Sequence, residues 1–477
     1  MQKKKKKNFP IINFYDQDLI DLCHRSWTWI GEQSVKGSPD NGFCNRYFRH
    51  PESNRINQFE ACLSTFFLVY SNNMFPVTAQ LDNFYNKQED NGAICSDYDI
   101  DDGCAIISND NPSGVGPPLF SWAEFNLYHK LGSKKRLRDI IPRLESYFKW
   151  LEITHKKSNG LYSVSPNATM MGNSPRTDCV YPVDFNAQQA VNALYMSAIG
   201  DVVNDKDLSF KYKKAYFSLK SRINQFMWNE ESGFYHDLDS QEKILPVKTI
   251  AGFWTLLAEI PNEVKCERLL ALLRNPKEFG VDHPFPSLSA SETSYSSEGN
   301  GFCGSVSPAF NYMVIKGLEK YGHYDLAREY TLRHLYYVLD SLHPEDGSAG
   351  SVYEAYSPQR EGPAKWPENP DFPRKLFMCY VGLTTVALMI ENVIGLYISL
   401  PRKTVDWRIP VMEQMGVQNF QLKRNLISIL SNKTPRGWEI RLESEKLYYL
   451  TINVLREKRT KTLPIPSGKC SILIDKL

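Results

Sequence analysis

Glu354 is a carboxylate in surroundings that suit acid–base chemistry. It lies between Tyr353 and Tyr356 in the short stretch GSAGSVYEAYSPQREG, which covers residues 347–362. Aromatic neighbours remove water from a carboxyl group, and this shifts its pKa and tunes it for proton transfer. The same pattern fits a buried glutamate paired with an arginine, and Glu391 is an equally eligible carboxylate. The residues alone therefore predict either a catalytic carboxylate or a structural ion pair.

A second polar group precedes a predicted helix. The string MMGNSPRTD at 170–178 runs through YPVDFNAQQA at 181–190 into that helix. The polar side chains near its start are Asn173, Arg176, Asp178, Asp184 and Gln188. Helix N-termini favour oxyanions and hydroxyl acceptors, so this group is a candidate ligand site. Capping is the alternative, since Asp184 fits the N-cap position.

The loop 95–122 is acidic and ends at an aromatic residue. Its aspartates include Asp97, Asp99, Asp101, Asp102 and Asp110. The Asp-x-Asp-x-Asp spacing is typical of a calcium loop, but position 12 counted from Asp97 is Ser108 rather than the bidentate Glu. We therefore predict no metal here. Trp122 is either a platform for a sugar ring or a core residue.

Motifs for cofactors and nucleophiles are absent from the sequence. It contains no Gly-x-Gly-x-x-Gly, Walker, Gly-x-Ser-x-Gly or His-Glu-x-x-His string. Its ten cysteines include no Cys-x-x-Cys unit, which favours reduced thiols over a disulfide framework or zinc site. We predict that the protein uses neither a cofactor nor a metal.

Helical periodicity dominates from about residue 57 to 400. The helices that it predicts must hold these loops in place. Apolar stripes with the 3.6-residue period cover 137–151 and 187–198. Long loops rich in Gly, Pro, Asn and Ser separate the helices, at 91–118, 158–183, 276–306 and 343–374. Loops of this length inside a domain are usually functional. We expect an all-α ring of helical hairpins with its loops gathered on one face.

The character of the sequence changes after Pro401. Four segments alternate apolar and polar residues, at 420–430, 437–443, 447–455 and 470–474. This alternation predicts short antiparallel strands. We therefore divide the chain into a barrel domain, 1–400, and a linker with a small antiparallel β domain, 401–477, packed on the barrel.

Composition excludes several partners and compartments. Fifty-six basic and 54 acidic residues leave a formal net charge of +2, which gives no support to nucleic-acid binding. The N-terminus carries five lysines, but Pro10 and Asn13 interrupt the apolar stretch that a signal peptide needs. The apolar run 380–400 has helical spacing and contains Glu391, which favours a core helix over a membrane span. We expect a cytoplasmic protein with no membrane partner.

Nine ordered motifs carry a family resemblance. They are FPVTAQLDNFYNKQEDNGAIC, PPLFSWAEFNLY, GNSPRTD, VDFNAQQAVNALYM, VKTIAGFWTLLAEIP, NPKEFG with PSLSA, NYMVIKGLEKYG, YEAYSP and IENVIGL. Together they resemble the six-hairpin glycosidases of the trehalase and mannosylglycerate hydrolase kind, over about residues 57–415 and more weakly beyond. The resemblance implies an (α/α)6 toroid and hydrolysis of α-glycosides with inversion. Inverting carboxyl groups stand ~6.5–9.5 Å apart to admit a water.

The resemblance assigns residues unevenly. The family's general base falls on Glu354. Its general acid is the Asp of a Gly-x-Asp-Asn-Ser/Thr-Pro-Arg pattern, and here Gly172 occupies that position. We name Asp178 as a substitute acid. A Trp-Asp pair of the family corresponds to Phe59–Glu60, and Phe302 lies where a Tyr-Trp-Arg-Gly stretch is usual. The predicted substrate-binding residues are Glu60, Trp122, Asn173, Arg176, Gln188, Phe302 and Tyr356.

Three functions follow as hypotheses. The first is inverting hydrolysis of an α-glycoside, weakened or altered in specificity, on a carbohydrate or small sugar derivative. The second is a catalytically inactive carbohydrate-binding protein, because the acid, an Arg and two Trp residues of the family pattern are lost together. The third is sugar isomerisation or epimerisation, since similar helical toroids host that chemistry. His283 and His343 are its candidate residues, but no motif surrounds them.

Overall fold

Helical hairpins, each with a buried and a surface helix, build much of the molecule. The computed structural model describes residues 9–344, 347, 349–410, 412–422, 425–446, 448–456, 458–465 and 467–474. Its helices are α1 (Gln17–Glu32), α2 (Gln58–Leu68), α3 (Ala79–Asn86), α4 (Phe120–Leu131), α5 (Lys134–His155), α6 (Val183–Val203), α7 (Lys206–Phe226), α8 (Trp254–Leu257), α9 (Glu263–Arg274), α10 (Pro308–Lys320), α11 (Tyr324–Asp340) and α12 (Met378–Gly382). The last continues as a π-helix over Leu383–Val393. Short 3-10 turns lie at Pro166–Thr169 and Ile250–Phe253.

The α6–α7 hairpin shows how the sequence makes such a pair. Helix α6 is buried on nearly every side, whereas α7 buries one stripe and exposes the rest. Asn204 ends α6 with a left-handed φ of 63°, and the Asp205 side chain caps α7 by accepting from the Leu208 amide. A Cβ on Gly200 would lie 2.6 Å from the Ser209 nitrogen, so glycine allows the two helices to approach closely. The predicted helix at 187–198 is confirmed as part of α6.

The α4–α5 hairpin follows the same logic. Gly132 ends α4 with a φ of 65°, and Ser133 caps α5 through a bond from the Arg136 amide. The stripe predicted at 137–151 forms the buried face of α5, which includes Leu144 and Leu151. That helix prediction is confirmed. Helix α10 likewise lies inside and packs against the partly exposed α11.

Two larger sheets form mainly from the C-terminal part of the chain. The strands there are β8 (Leu396–Ser399), β9 (Thr404–Ile409), β10 (Gly416–Leu422), β11 (Asn425–Thr434), β12 (Gly437–Ser444), β13 (Tyr448–Val454), β14 (Arg459–Ile465) and β15 (Gly468–Ile474). The N-terminal strand β1 (Ile11–Asn13) pairs with β10, with Ile12 opposite Val417. The sheet orders are β1-β10-β11-β12-β15 and β14-β13-β9-β8. Pairing is antiparallel except between β13 and β9, which run parallel.

Three short ribbons lie among the helices. They pair β2 (Ser34–Val35) with β3 (Tyr47–Phe48), β4 (Arg55–Asn57) with β5 (Asp97–Asp99), and β6 (Trp228–Asn229) with β7 (Phe234–Tyr235). The β4–β5 ribbon places the start of the acidic loop beside the start of α2, because Asn57 pairs with Asp97.

The predicted all-α fold class is wrong. Helices make up 40% and strands 18% of the structure, including a five-stranded and a four-stranded sheet. The predicted segments 437–443, 447–455 and 470–474 overlap β12, β13 and β15, whereas 420–430 covers parts of both β10 and β11. The strands β1, β8, β9 and β14 and the three ribbons were not foreseen. Strands of two or three residues are too short to show alternation, and their partners lie far away in the sequence.

The helical part of the chain gives way to strands between Val393 and Leu396. The segment 380–400 is helical up to Val393 and then forms β8, so its buried apolar residues belong to the core. No helix among the described residues is long and apolar enough to cross a membrane. The division at residue 400 stays a prediction, and β1 shows that the first residues of the chain pair with the C-terminal sheet.

Candidate active site

An open cleft of about 1010 Å³ collects residues from the long loops. Its lining includes Asp97, Asp110, Gly172, Phe302 and Glu354, which come from four separate loops. Three of them, Gly172, Phe302 and Glu354, are residues that the sequence assigned to the site. Loops far apart in the chain therefore meet at one cleft.

Glu354 lies in this cleft as one half of a half-buried ion pair. Arg374 donates from Nε to Oε2 at 2.8 Å and from Nη2 to Oε1 at 2.6 Å. The side chains of Glu354 and Arg374 are only 14% and 18% exposed. Burial opposes the charge of Arg374, but its bonds to Glu354 and the nearby carboxylates outweigh burial and raise its pKa. This two-pronged contact is the geometry of a charged guanidinium bound to a charged carboxylate.

The backbone around Glu354 fixes this pair. The Glu354 amide donates to the Arg374 carbonyl at 2.9 Å, and the Arg374 amide donates to Oε2 at 3.2 Å. Oε2 therefore accepts two hydrogen bonds, whereas Oε1 accepts one. A carboxylate oxygen has two acceptor positions, so Oε1 keeps one position open for a water or a ligand hydroxyl.

Glu60 shares the same guanidinium. It lies in the first turn of α2, whose N-cap is Asn57. Arg374 Nη2 is 3.5 Å from Glu60 Oε1 and 2.6 Å from Glu354 Oε1, so these two oxygens are at most 6.1 Å apart. Burial raises the pKa of Glu60, and the positive charge of Arg374 opposes that shift only in part. A second carboxylate therefore lies close to the candidate base and is held by the same guanidinium.

Gly172 lines the cleft without a side chain. A Cβ built there would lie 3.1 Å from the Trp366 ring. Its φ is not in the left-handed region, so the backbone does not require glycine at this position. Small size beside Trp366, rather than backbone geometry, is what glycine contributes here.

Asn173 connects this loop to the loop that bears Phe302. Its Oδ1 accepts from the Phe302 amide at 2.6 Å, and its Nδ2 donates to the Asn300 carbonyl at 3.1 Å. Gly301 has a φ of 49°, and a Cβ there would clash with Asn173 Oδ1. The structure thus gives Asn173 a loop-joining contact and places Phe302 in the cleft wall.

Arg176 is buried, with only 4% of its surface exposed. It donates from Nη1 and Nη2 to Asp184 at 2.9 and 2.8 Å. It also donates from Nε and Nη2 to Asp237 at 2.6 and 2.8 Å. These bonds tie the 170–178 segment to α6 and to the strand region that follows β7.

Glu60, Asn173 and Arg176 are not part of the cleft lining, and four other predicted residues also lie outside it. Trp122 is buried and packs against Phe66, with ring centroids 4.4 Å apart. Gln188 is buried in α6, and neither of its amide atoms has a partner among the described residues. The Tyr356 hydroxyl accepts from the Tyr353 amide, whereas Asp178 is exposed. Ligand contacts of these four side chains stay predictions.

The structure adds cleft residues that the sequence did not single out. Trp366 and Phe372 line the cleft with Phe302, and the three rings form an aromatic triad with centroids 5.4–6.3 Å apart. Arg374 and Tyr380 complete this side. In the sequence, only the length of the 343–374 loop pointed to this region. Loop length indicates a functional segment, but it does not identify which residues of the segment act.

The acidic loop supplies polar lining. Asp97 accepts from Asn57 Nδ2 at 3.0 Å and from Ser96 Oγ at 2.5 Å, and it lies 3.3 Å from Arg55 Nε. Among the described residues, no three His, Cys, Asp or Glu side chains are grouped as metal ligands.

Two family models match the chain. The mannosylglycerate hydrolase MGH1-like glycoside hydrolase domain matches residues 77–372. The trehalase C-terminal domain matches residues 395–477. Most of the helical part and the C-terminal sheets thus match two different family models.

Similar proteins and structures agree with these matches. An uncharacterised protein of Borreliella burgdorferi is 49% identical over 474 residues, which are 99% of this chain and 100% of that protein. The GH63 mannosylglycerate hydrolase of Thermus thermophilus, solved with glucose, has a TM-score of 0.61 at 16% identity, over 76% of this chain and 99% of that one. A sialidase structure has a TM-score of 0.70 at 16% identity, over 91% of this chain and 40% of that one. At these identities the structures show a shared fold.

Proposed function

Because the chain belongs to the MGH1-like glycoside hydrolase family, we propose that it binds an α-glycoside in the cleft and hydrolyses it with inversion. Glu354 is the general base of this proposal. The observation that carries it is the position of Glu354 in the cleft, paired with Arg374 and with an open acceptor position on Oε1. The ligand is a sugar or sugar derivative, since the Thermus thermophilus GH63 mannosylglycerate hydrolase, which shares this fold, was solved with glucose and with D-glycerate.

In the proposed step, Oε1 of Glu354 accepts a proton from a water. The water oxygen bonds to the anomeric carbon while the bond to the leaving oxygen breaks, and the configuration inverts. Arg374 orients the base, but its hydrogen bonds to both carboxylate oxygens also compete with the incoming proton. This base therefore acts best on a substrate whose leaving group departs easily.

The leaving oxygen must gain a proton, and Gly172 supplies none. Loss of one acid–base group lowers a rate by ~10²–10⁴. Asp178, the substitute acid named from the sequence, is exposed and lies outside the cleft lining. Natural α-glycosides should therefore be hydrolysed slowly. The hydrolysis rate of α-glycosyl fluorides should be affected less, because the fluoride ion leaves without needing a proton.

A second function is binding without turnover. Two observations favour it: Gly172 carries no carboxyl, and the carboxylate of the candidate base accepts three hydrogen bonds from Arg374. In this alternative the cleft and its aromatic triad retain a ligand that the protein does not cleave.

Hydrolysis of α-glucosyl and α-mannosyl fluorides distinguishes the two functions. We expect wild-type turnover with a β-configured product, seen by proton NMR, and loss of that turnover in Glu354→Gln. Gly172→Asp should raise cleavage of the corresponding methyl α-glycosides, with Gly172→Ala as the matched control. Absence of fluoride turnover, together with sugar binding by wild type, would establish the binding protein instead. An α-configured product would contradict inversion.

A further inference from the structure

The cleft carries more negative than positive side chains. Its carboxylates are Glu52, Asp97, Asp99, Asp110, Glu354 and Asp371. Its guanidiniums are Arg55 and Arg374. Six negative and two positive groups leave an excess of four negative charges in the lining. A negatively charged ligand would meet this excess on entry.

Both positive groups are already engaged. Arg374 is bonded to Glu354, and Arg55 Nε lies 3.3 Å from Asp97. The remaining carboxylates form no ion pair within the described part of the chain: Glu52, Asp99, Asp110 and Asp371. A ligand carboxylate would therefore meet, beside each guanidinium of the cleft, a carboxylate of the protein that already offsets its positive charge.

The aromatic triad points to the same class of ligand. Phe302, Trp366 and Phe372 form one apolar wall of the cleft. Phe372 directly follows Asp371 in the sequence, and Arg374 lies two residues after it. Aromatic faces carry negative charge density, so they attract cations and apolar ring faces and repel carboxylates. Gly172 leaves the Trp366 ring open to the cleft, since a Cβ there would contact that ring.

We propose that this cleft selects glycosides whose leaving group is an uncharged or amino-bearing sugar and excludes those whose leaving group is a carboxylic acid. The inference rests on the proposed function for the location of the ligand. The aromatic wall receives the ring of the leaving sugar, and the four carboxylates without ion pairs repel an acid such as glycerate. An amino group on the leaving sugar would gain from the same charges.

The test uses ligands that differ by one charge. Wild-type protein is titrated calorimetrically with α-mannosylglycerol and α-mannosylglycerate, and with the corresponding α-glucosyl pair. Like charges within several ångströms in a water-filled cleft should weaken binding of the glycerate member by about tenfold or more at low salt. The difference should shrink in 1 M NaCl, where the Debye length falls to about 3 Å. An α-linked disaccharide should bind at least as tightly as the glycerol glycoside.

Matched variants test whether the carboxylates of the cleft cause the weaker binding of the glycerate ligand. The double variant Asp110→Asn/Asp371→Asn removes two lining charges. It should reduce the ratio of the dissociation constants of the glycerate and glycerol glycosides at least about threefold. Asp207→Asn/Glu263→Gln removes two exposed carboxylates outside the cleft and should leave the ratio of the two dissociation constants unchanged. Equal or tighter binding of the glycerate ligand, or an equal effect of both sets of variants, would overturn the inference. Failure of every glycoside to bind would instead refute the proposed function, and the inference with it.

Discussion

Removal of Arg374 should show how much the stability of the folded protein depends on the pairing of this arginine with Glu354 and Glu60. Arg374→Met keeps much of the side-chain volume but leaves Glu354 and Glu60 without their shared counter-charge. Both carboxylates are mostly buried, with side chains 14% and 17% exposed. Two neighbouring negative charges in a poorly hydrated place then repel each other, so the folded state loses stability.

The magnitude follows from the contact distances. The closest contact between Arg374 and Glu354 is 2.6 Å, which places the charge centres about 4 Å apart. At an effective dielectric constant of about 20, two unit charges at that distance attract by about 4 kcal/mol. Breaking a buried pair by removing one partner costs ~3–5 kcal/mol in other proteins. We therefore expect Arg374→Met to lower the free energy of unfolding by about 4 kcal/mol at about pH 7.5.

The loss should depend on pH. Burial already raises the pKa of Glu60 in the folded protein, and without Arg374 that pKa should rise further. A carboxyl group with a raised folded pKa binds its proton more readily when folded, so its contribution is fully favourable below the unfolded pKa of about 4.3. This favourable contribution is lost as the pH rises through the pKa of Glu60 in the folded protein. The variant's deficit should therefore shrink by about 1–2 kcal/mol between about pH 7.5 and pH 5.

Urea unfolding followed by tryptophan fluorescence, at both pH values, measures this. Glu354→Gln in the Arg374→Met background is the matched control, since a neutral amide needs no counter-charge and should recover part of the loss. A deficit below about 1 kcal/mol at the higher pH would refute the role assigned to the pair. So would a double variant whose loss equals the sum of the two single losses.

Other residues give three further predictions. Gly172→Ala should change the free energy of unfolding by less than about 1 kcal/mol, because only the Trp366 ring must yield; Gly301→Ala should cost more, since φ is 49° there. A larger cost at Gly172 in thermal or urea unfolding would contradict this comparison. Arg176→Met should cost about 3–5 kcal/mol in the same assay, because it strands two buried aspartates, and a loss under about 1 kcal/mol would show that the network is dispensable. Burial lowers the pKa of His334 to about 3, so folding excludes its charged form and stability falls as the pH drops below about 6.5. His334→Gln should reduce the stability lost between about pH 6.5 and pH 4.5 by about 2 kcal/mol, and an unchanged pH profile would refute that reasoning.

The sequence by itself located several important segments. The 3.6-residue stripes predicted α5 and α6, because helical periodicity is a local property of neighbouring residues. Long loops and ordered motifs indicated the family and three cleft residues, Gly172, Phe302 and Glu354. The missing carboxyl at Gly172 is also visible in the sequence, since it needs only the identity of one residue.

Tertiary structure decided which polar residues meet. Glu354 could have been a solvated base or half of an ion pair, and only the fold brings Arg374, twenty residues later, within 2.6 Å of it. Arg176 matched a ligand-binding motif, yet the approach of Asp237 encloses it in a buried network. The sheets show the same limit, because β1 acquires its partner β10 from the other end of the chain. Burial and charge pairing depend on contacts between residues remote in sequence, and local patterns do not contain that information.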